Sequence, residues 1–349
     1  MKYRSLLFCR SPLAPQADRT DDLFRSFCED IHMDAVIREI ATGREQYNLE
    51  EVFFRRPATV DDVVYRIAIM KDIDTCDLLN AFHDFSLRIR LSRNYLQNSR
   101  SCNDADQRGK FHLDAAFVYC QAVTNLHAAL EAANLRSDGL AQFAAWLSHY
   151  INTSAFESLK RESSRLNSEF EEIRYRLLVF GNTITVLPDD SKTDIYRSLG
   201  KTFYEDDPDK TVTFQLFANL HLAEVEKRIL QQVKKYFPSP FQKLAAFCFD
   251  HDAFVHPDLL TFDREINFYL ACLEFFRRLR EKGYGYGFPE ISDRLCIRAG
   301  YDLSLALSDL HAGQKLDIVT NDFELSPDER IVVVTGPNQG GKTTFARSI

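Results

Sequence analysis

The most informative residues form the run Gly336-Pro337-Asn338-Gln339-Gly340-Gly341-Lys342-Thr343. These types at this spacing suit one task, the holding of a polyphosphate. Several backbone N–H groups must point inward at the anion, and only a glycine-rich backbone curls that closely. A helix starting near Lys342 would aim its positive end at the same charge. Lys342 would meet the β- and γ-phosphates, and the Thr343 hydroxyl would ligate Mg²⁺. The run fits G-x-x-x-x-G-K-[ST], whose required context is a buried strand feeding a helix. Ile331-Val332-Val333-Val334 supplies a continuous apolar run in that place, as expected of a central strand in an α/β sheet. The implied cofactors are ATP and Mg²⁺. A chance glycine turn would not combine the lysine, the threonine and the apolar run.

Other residues with chemical potential have plainer explanations. His251 and His256 flank Asp252, with Asp258 close by. A polar loop before a helix begun by Pro257 explains them better than a metal site. Phe275-Phe276-Arg277-Arg278-Leu279-Arg280 reads as a helix end with cations in its last turn. Tyr284-Gly285-Tyr286 reads as a hinge loop in preference to a base-stacking platform. The eight cysteines are scattered, without a Cys-x-x-Cys pair, and read as small, buried, reduced hydrophobes. No Ser/His/Asp or Cys/His catalytic set stands out.

The elements that must position the loop are mostly helical. A composition of 45% hydrophobic and 27% charged residues is that of a soluble globular chain. With only 13 Gly and 11 Pro, long uninterrupted elements are expected. The net charge of -8 gives no general pull toward nucleic acid or anionic membrane. No run of about 20 apolar residues exists to span a membrane. The first residues lack the apolar stretch of a secretion signal, and a cytoplasmic protein is expected.

Thr59 with Asp62 should cap a helix carrying Val63, Val64 and Ile67. Leu78, Phe82, Phe85 and Ile89 mark the next stripe, and a helix follows over about 111–135. Ser137 or Asp138 then caps a helix through Phe143, Trp146, Leu147 and Tyr150. Phe156, Leu159, Ser163, Leu166, Phe170, Ile173 and Leu177 alternate spacings of three and four. That seam predicts one long helix across 151–180, buried along a narrow stripe. Gly181-Asn182 reads as its stop, followed by a strand from Thr183 to Leu187 and a returning strand from Thr211 to Phe214. Leu222, Val225, Ile229 and Val233 predict a helix antiparallel to the first. Pro238 and Pro240 precede a shorter one with Leu244, Phe247 and Phe249. Leu259, Phe262, Ile266, Tyr269, Leu273 and Phe276 form a second seam. The glycines of Gly283-Tyr284-Gly285-Tyr286-Gly287 mark a boundary. Short β-like runs follow around Cys296-Ile297, Leu316-Asp317-Ile318-Val319 and the apolar run before the loop.

The expected fold is mainly α. A helical core occupies 1–150, and lever helices occupy 151–282 with a β insertion at about 183–215 on their far tip. The first strands of a P-loop α/β ATPase domain occupy 283–349.

With its double glycine before the lysine and a second threonine, Thr344, the loop resembles that of the MutS family of DNA mismatch-repair ATPases. Related loops of ABC transporters and chromosome-maintenance ATPases usually carry Gly-Ala or Gly-Ser before the final Gly-Lys. The order of helical core, paired levers, β-rich DNA clamp and ATPase is also the family's. The resemblance implies an ATP-dependent clamp on DNA that works as a homodimer with composite ATP sites. An ABC- or SMC-type ATPase with helical arms is the alternative from another class. The resemblance also implies that the acidic Mg²⁺ partner and the water-positioning group lie beyond Ile349. On that reading the chain is part of a longer ATPase and alone neither hydrolyses ATP nor binds it tightly.

The sequence departs from the family in two ways. The mismatch-reading domain has no counterpart, and Phe-x-Glu recurs at Phe27, Phe170, Phe203 and Phe288, so it marks no wedge. The candidate clamp is acidic: Lys192, Arg197, Lys201 and Lys210 are outnumbered by Asp189, Asp190, Asp194, Glu205, Asp206, Asp207 and Asp209. A phosphate grip should be basic. Phosphates would then fall to the lever edges near Arg161, Arg165, Arg174 and Arg176, with DNA read by structure more than by mismatch.

Overall fold

Helices dominate because apolar residues recur at helical spacing and few glycines or prolines interrupt them. A computed structural model describes residues 3–9, 21–54, 59–75, 78–181, 183–189, 212–215, 222–312 and 317–349, with backbone alone for 21–23, 212–215 and 222–224. Cys76, Asn182, Leu316 and, within the candidate clamp, Asp190, Lys192, Asp194, Arg197, Lys201, Phe203, Glu205, Asp206, Asp207, Asp209, Lys210 and Thr211 lie outside these residues.

The helices are α1 (Asp21–Asp30), α2 (Met33–Ala41), α3 (Leu49–Phe54), α4 (Val60–Thr75), α5 (Leu79–Ser101), α6 (Ala105–Ala132), α7 (Asp138–Ile151) and α8 (Ser154–Glu171). Strands β1 (Tyr175–Phe180), β2 (Thr183–Pro188) and β3 (Val212–Gln215) follow. Then come α9 (Leu222–Tyr236), α10 (Pro238–Asp250), α11 (Pro257–Glu281), β4 (Leu295–Gly300), α12 (Leu303–His311), β5 (Asn321–Leu325) and α13 (Lys342–Arg347). Two compact units are built from them. One comprises Met1–Ser86, Thr124–Tyr150 and Val255–Ile349, the other Leu87–Val123 and Ile151–Phe254. Neither is a contiguous stretch, and α5 and α6 supply residues to both.

The first unit is organised around α11. Leu259, Phe262, Ile266, Tyr269, Leu273 and Leu279 are fully buried, as are Leu270 and, nearly so, Phe268 and Cys272. The second apolar seam is thus part of a helix whose middle, from Glu265 to Leu273, is buried on every side, because its apolar residues there run right around it. Phe275 is buried where Phe276 was expected. Phe262 stacks on Phe143 and meets Phe82 edge-on at 5.8 Å. Ser86 donates to Asp263 Oδ1 at 2.6 Å, and Asn267 Nδ2 donates to Ser86 Oγ at 2.9 Å. These bonds satisfy polar groups that burial would otherwise penalise. The expected cap of α4 forms, with Asp62 N donating to Thr59 Oγ1 at 3.2 Å. Residues 3–9 are laid into this unit, and Leu6, Leu7 and Phe8 are buried.

In the second unit α8 begins at its Thr153 cap, whose side chain accepts from Phe156 N. It ends at Glu171, so the single helix expected across 151–180 does not form. Seam residues Phe156, Leu159 and Leu166 are buried, but Leu177 lies in β1 and is exposed. Turn chemistry overrides the three-four spacing here. Gly181 has φ 57° and follows Phe180, which pairs with Thr183; Gly-Asn between two apolar runs is a strong hairpin signal in sequence. β2 sits between β1 and β3, antiparallel to both.

The sheet is not a remote tip. Val186 is fully buried in a cluster with Val233 of α9 and Phe241 of α10, joined by Phe170, Ile173 and Ile229. α8 packs against α10, and α9 against β2. Apolar residues of both α8 and α9, Phe170 with Ile229, Leu230 and Val233, converge on this cluster. Leu244 and Phe247 are buried on α10, whereas Phe249 is 85% exposed on its opposite side.

Candidate phosphate-binding loop

Thr335 leads into the glycine run, which bends back on itself with Gly340 N donating to Pro337 O at 3.1 Å. Gly336 has φ 159°, Gln339 φ 66° and Gly341 φ 81°. The last precedes α13 directly and occupies a left-handed conformation that favours glycine. A Cβ at Gly340 would stand 3.1 Å from Pro337 O, while Gly341 faces open space. α13 opens at Lys342, as expected. The Lys342 ammonium turns back into the loop and donates to Gly336 O at 2.7 Å and Pro337 O at 2.6 Å.

Gly340, Gly341, Lys342 and Thr344 share a cleft of about 770 Å³ with Leu305, Asp317, Val319, Asn321 and Phe345. Gly336, Pro337, Asn338, Gln339 and Thr343 are exposed and stand outside its wall. Composition had not pointed to Leu305, Asp317 or Asn321 as neighbours of the loop.

The apolar run before the loop is not a buried strand. Ile331 and Val333 are 85% and 78% exposed, and no described residue pairs with the run. A continuous apolar strand is stable only with neighbours on both edges and cover on both faces. The nearby sheet is instead an antiparallel pair, β4 with β5, interrupted by an irregularity between Ile297 and Gly300. Asp317, Ile318 and Val319 are likewise outside any strand.

Elsewhere the singled-out side chains have local partners, although Cys296 is exposed where a buried cysteine was expected. His256 caps α11, its Nδ1 accepting from Asp258 N at 3.2 Å, and His251 Nε2 lies 3.0 Å from Glu162 Oε2. Among the described residues no group of three His, Cys, Asp or Glu side chains could hold a metal ion. Tyr284 is docked, donating to Asp309 Oδ2 at 2.9 Å, and burial followed by that bond raises its phenol pKa. Arg280 lies over the Tyr286 ring, and Arg277 pairs with Asp74. Seven cysteines are described and none forms a disulfide; six are buried or half-buried, and Cys296 is exposed. Among the described residues no helix is long and apolar enough to cross a membrane.

The cations proposed for DNA are already engaged. Arg165 pairs with Glu169 at 3.2 Å, Arg161 lies 3.7 Å from Glu162, and Arg176 pairs with Asp189. Arg174 donates to the backbone carbonyls of Glu171 and Ile173.

Fold and loop together define a mainly helical protein bearing a glycine-rich turn at the head of a short helix. Three curated relatives share sequence with it. The DNA mismatch repair protein MSH3 of Meyerozyma guilliermondii is 26% identical over 129 residues, 37% of this chain and 13% of that protein. The DNA mismatch repair protein MutS of Thermus aquaticus is 37% identical over 86 residues, 24% of this chain and 10% of the relative. MutS of Staphylococcus haemolyticus is 36% identical over 84 residues, 23% and 9%. The matched stretches thus span about a tenth of these relatives' length. Over those stretches the chain is similar to mismatch-repair proteins of the MutS kind. No protein-family model matches the chain, and no solved structure does.

Proposed function

We propose that the chain is part of a MutS-like ATPase in which residues 336–344 hold ATP and Mg²⁺ and the nucleotide state is coupled to movement on DNA. The observation that carries this is the loop itself, a turned-back glycine backbone with the Lys342 ammonium inside it. The likeness to MSH3 and MutS proteins, named for DNA mismatch repair, supports DNA as the partner.

The residues present suit a polyphosphate. Positive or extended φ at Gly336 and Gly341, and the missing Cβ at Gly340, leave backbone N–H groups approachable. Lys342 holds its charge inside the turn and would transfer it to β- and γ-oxygens, which compete well with neutral carbonyls for an ammonium. The exposed Thr343 hydroxyl is available as a metal ligand, and Thr344 lines the cleft beside it. Bound Mg²⁺ would supply neutralisation of phosphate charge. A homodimer with composite nucleotide sites is part of the same proposal.

Calorimetric titration with ATP, with and without Mg²⁺, tests the reading. The unaltered chain should bind, and Lys342→Ala should weaken binding at least tenfold, about 1.4 kcal/mol. Equal affinity in both would remove the loop from the nucleotide site.

A further inference from the structure

Asp302 has one carboxylate oxygen more than its local role uses. Its side chain is 1% exposed. Oδ1 caps α12, accepting from Ser304 N at 2.9 Å, Ser304 Oγ at 2.6 Å and Leu305 N at 3.4 Å. Oδ2 is buried with no hydrogen-bond partner. Arg347 Nη1 stands 3.9 Å from it, within electrostatic reach but too far for a hydrogen bond. The Nε of Arg347 is also buried and unpartnered. Two opposite charges therefore face each other with unused hydrogen-bonding atoms, an arrangement a small approach would relieve.

Arg347 closes the same six-residue helix that Lys342 opens. Five residues of helix span about 7.5 Å, so the two ends move together. The far end of α13 is seated on β4 and β5. Phe345 meets Phe323 edge-on at 6.0 Å, and Gly300 admits the helix end so closely that a Cβ there would stand 3.0 Å from Ser348 O. At the near end the ammonium is tied to the loop's own carbonyls. An anion entering the loop would draw it off them and shift the short helix.

We propose that Asp302 and Arg347 are positioning residues that form a latch. It closes when the loop takes up a polyphosphate, so that anion binding and firm seating of α13 favour one another. This rests on the reading of 336–344 as a phosphate site. Such coupling is reciprocal: whatever closes the latch raises anion affinity, and the anion closes the latch.

The probe is inorganic triphosphate, titrated by calorimetry into the full chain and into Asp302→Asn, Arg347→Ala, Arg347→Lys and the double variant. Asparagine keeps a capping oxygen for α12 while removing the charge. Asp302→Asn and Arg347→Ala should each weaken binding about tenfold. The double variant should be no weaker than either single one, and Arg347→Lys should bind more tightly than Arg347→Ala. Triphosphate should also slow amide exchange at 345–348 in the unaltered chain. Unchanged exchange there overturns the latch without recourse to any variant. So do variants that unfold earlier yet bind with unaltered affinity, since a merely structural contact behaves that way. An unaltered chain that binds no triphosphate removes the loop reading and the latch together, whereas binding that the variants share removes the latch alone.

Discussion

Glu265 shows how far a single residue can hold a segment in place. It lies on α11 and is 2% exposed, yet its carboxylate accepts from Tyr3 Oη at 2.6 Å, Ser5 Oγ at 2.5 Å and Leu6 N at 2.7 Å. Replacing it with alanine leaves three donors unpaired, each costing about 1–3 kcal/mol if it stays buried. Glu265→Ala should therefore lower stability by about 3 kcal/mol in urea unfolding, after partial relaxation. Its pKa is raised by burial, against the hydrogen bonds from Ser5, Tyr3 and Leu6. The folded state thus holds the proton to higher pH than the unfolded state. This contribution is present below the ordinary value of 4.5 and is lost as pH rises through the raised one. Glu169 runs the other way: its pKa is lowered by the Lys243 hydrogen bond, and its contribution is lost as pH falls. Unfolding midpoints across that acidic to neutral range should show a shallower decline in Glu265→Gln than in the unaltered chain. An identical slope would remove Glu265 from the pH dependence.

At the scale of elements the test case is the hairpin. A sheet projecting from lever helices would tolerate change at Val186, but here that side chain is fully buried among Val233, Phe241 and their neighbours. Val186→Ala removes two methyl groups and leaves a partly filled cavity, so it should cost about 2 kcal/mol. A neutral result by thermal unfolding would return the sheet to a projecting position. The same elements show what was legible in the sequence. The Thr59 cap, the Leu78-Phe82-Phe85-Ile89 stripe and the helix start at Lys342 depend on neighbours a few residues away, and each is found. The seam through Ile173 and Leu177 misled because its spacing continued past the true end of α8. The Gly-Asn pair at 181–182 is also a hairpin signal in sequence, and Phe180 pairs with Thr183 across it. Asp302, one residue before the apolar α12, was readable as a cap, but its facing of Arg347 was not, since sequence holds no distance between segments 45 residues apart. The apolar run before the loop was misplaced for a related reason: strand formation is decided by partners elsewhere, and none of the described residues supplies one.

At the scale of the molecule the proposed DNA role must be reconciled with a net charge of -8. Arg161, Arg165 and Arg176 face Glu162, Glu169 and Asp189, so each phosphate contact they make would first break an ion pair. Exposed pairs are worth about 0–1 kcal/mol each, which keeps that exchange feasible while cancelling most of its gain. Each cation freed in this way leaves a carboxylate beside the phosphate, which raises the local negative potential and retains counterions. Net counterion release should therefore be small. Binding of duplex DNA by this chain should be weak, with a plot of log affinity against log salt no steeper than about -3, equivalent to roughly three neutralised phosphates. Fluorescence anisotropy at two or more salt concentrations measures that slope. A value of about -6 or steeper would mean a broad basic surface grips the backbone, contrary to the pairing seen along α8 and β1. Charge reversal at Glu169 separates the two cases further. It frees Arg165 and Lys243 together, so Glu169→Lys should steepen the slope and tighten binding if these helices meet DNA. Unchanged binding in that variant would place the contact elsewhere.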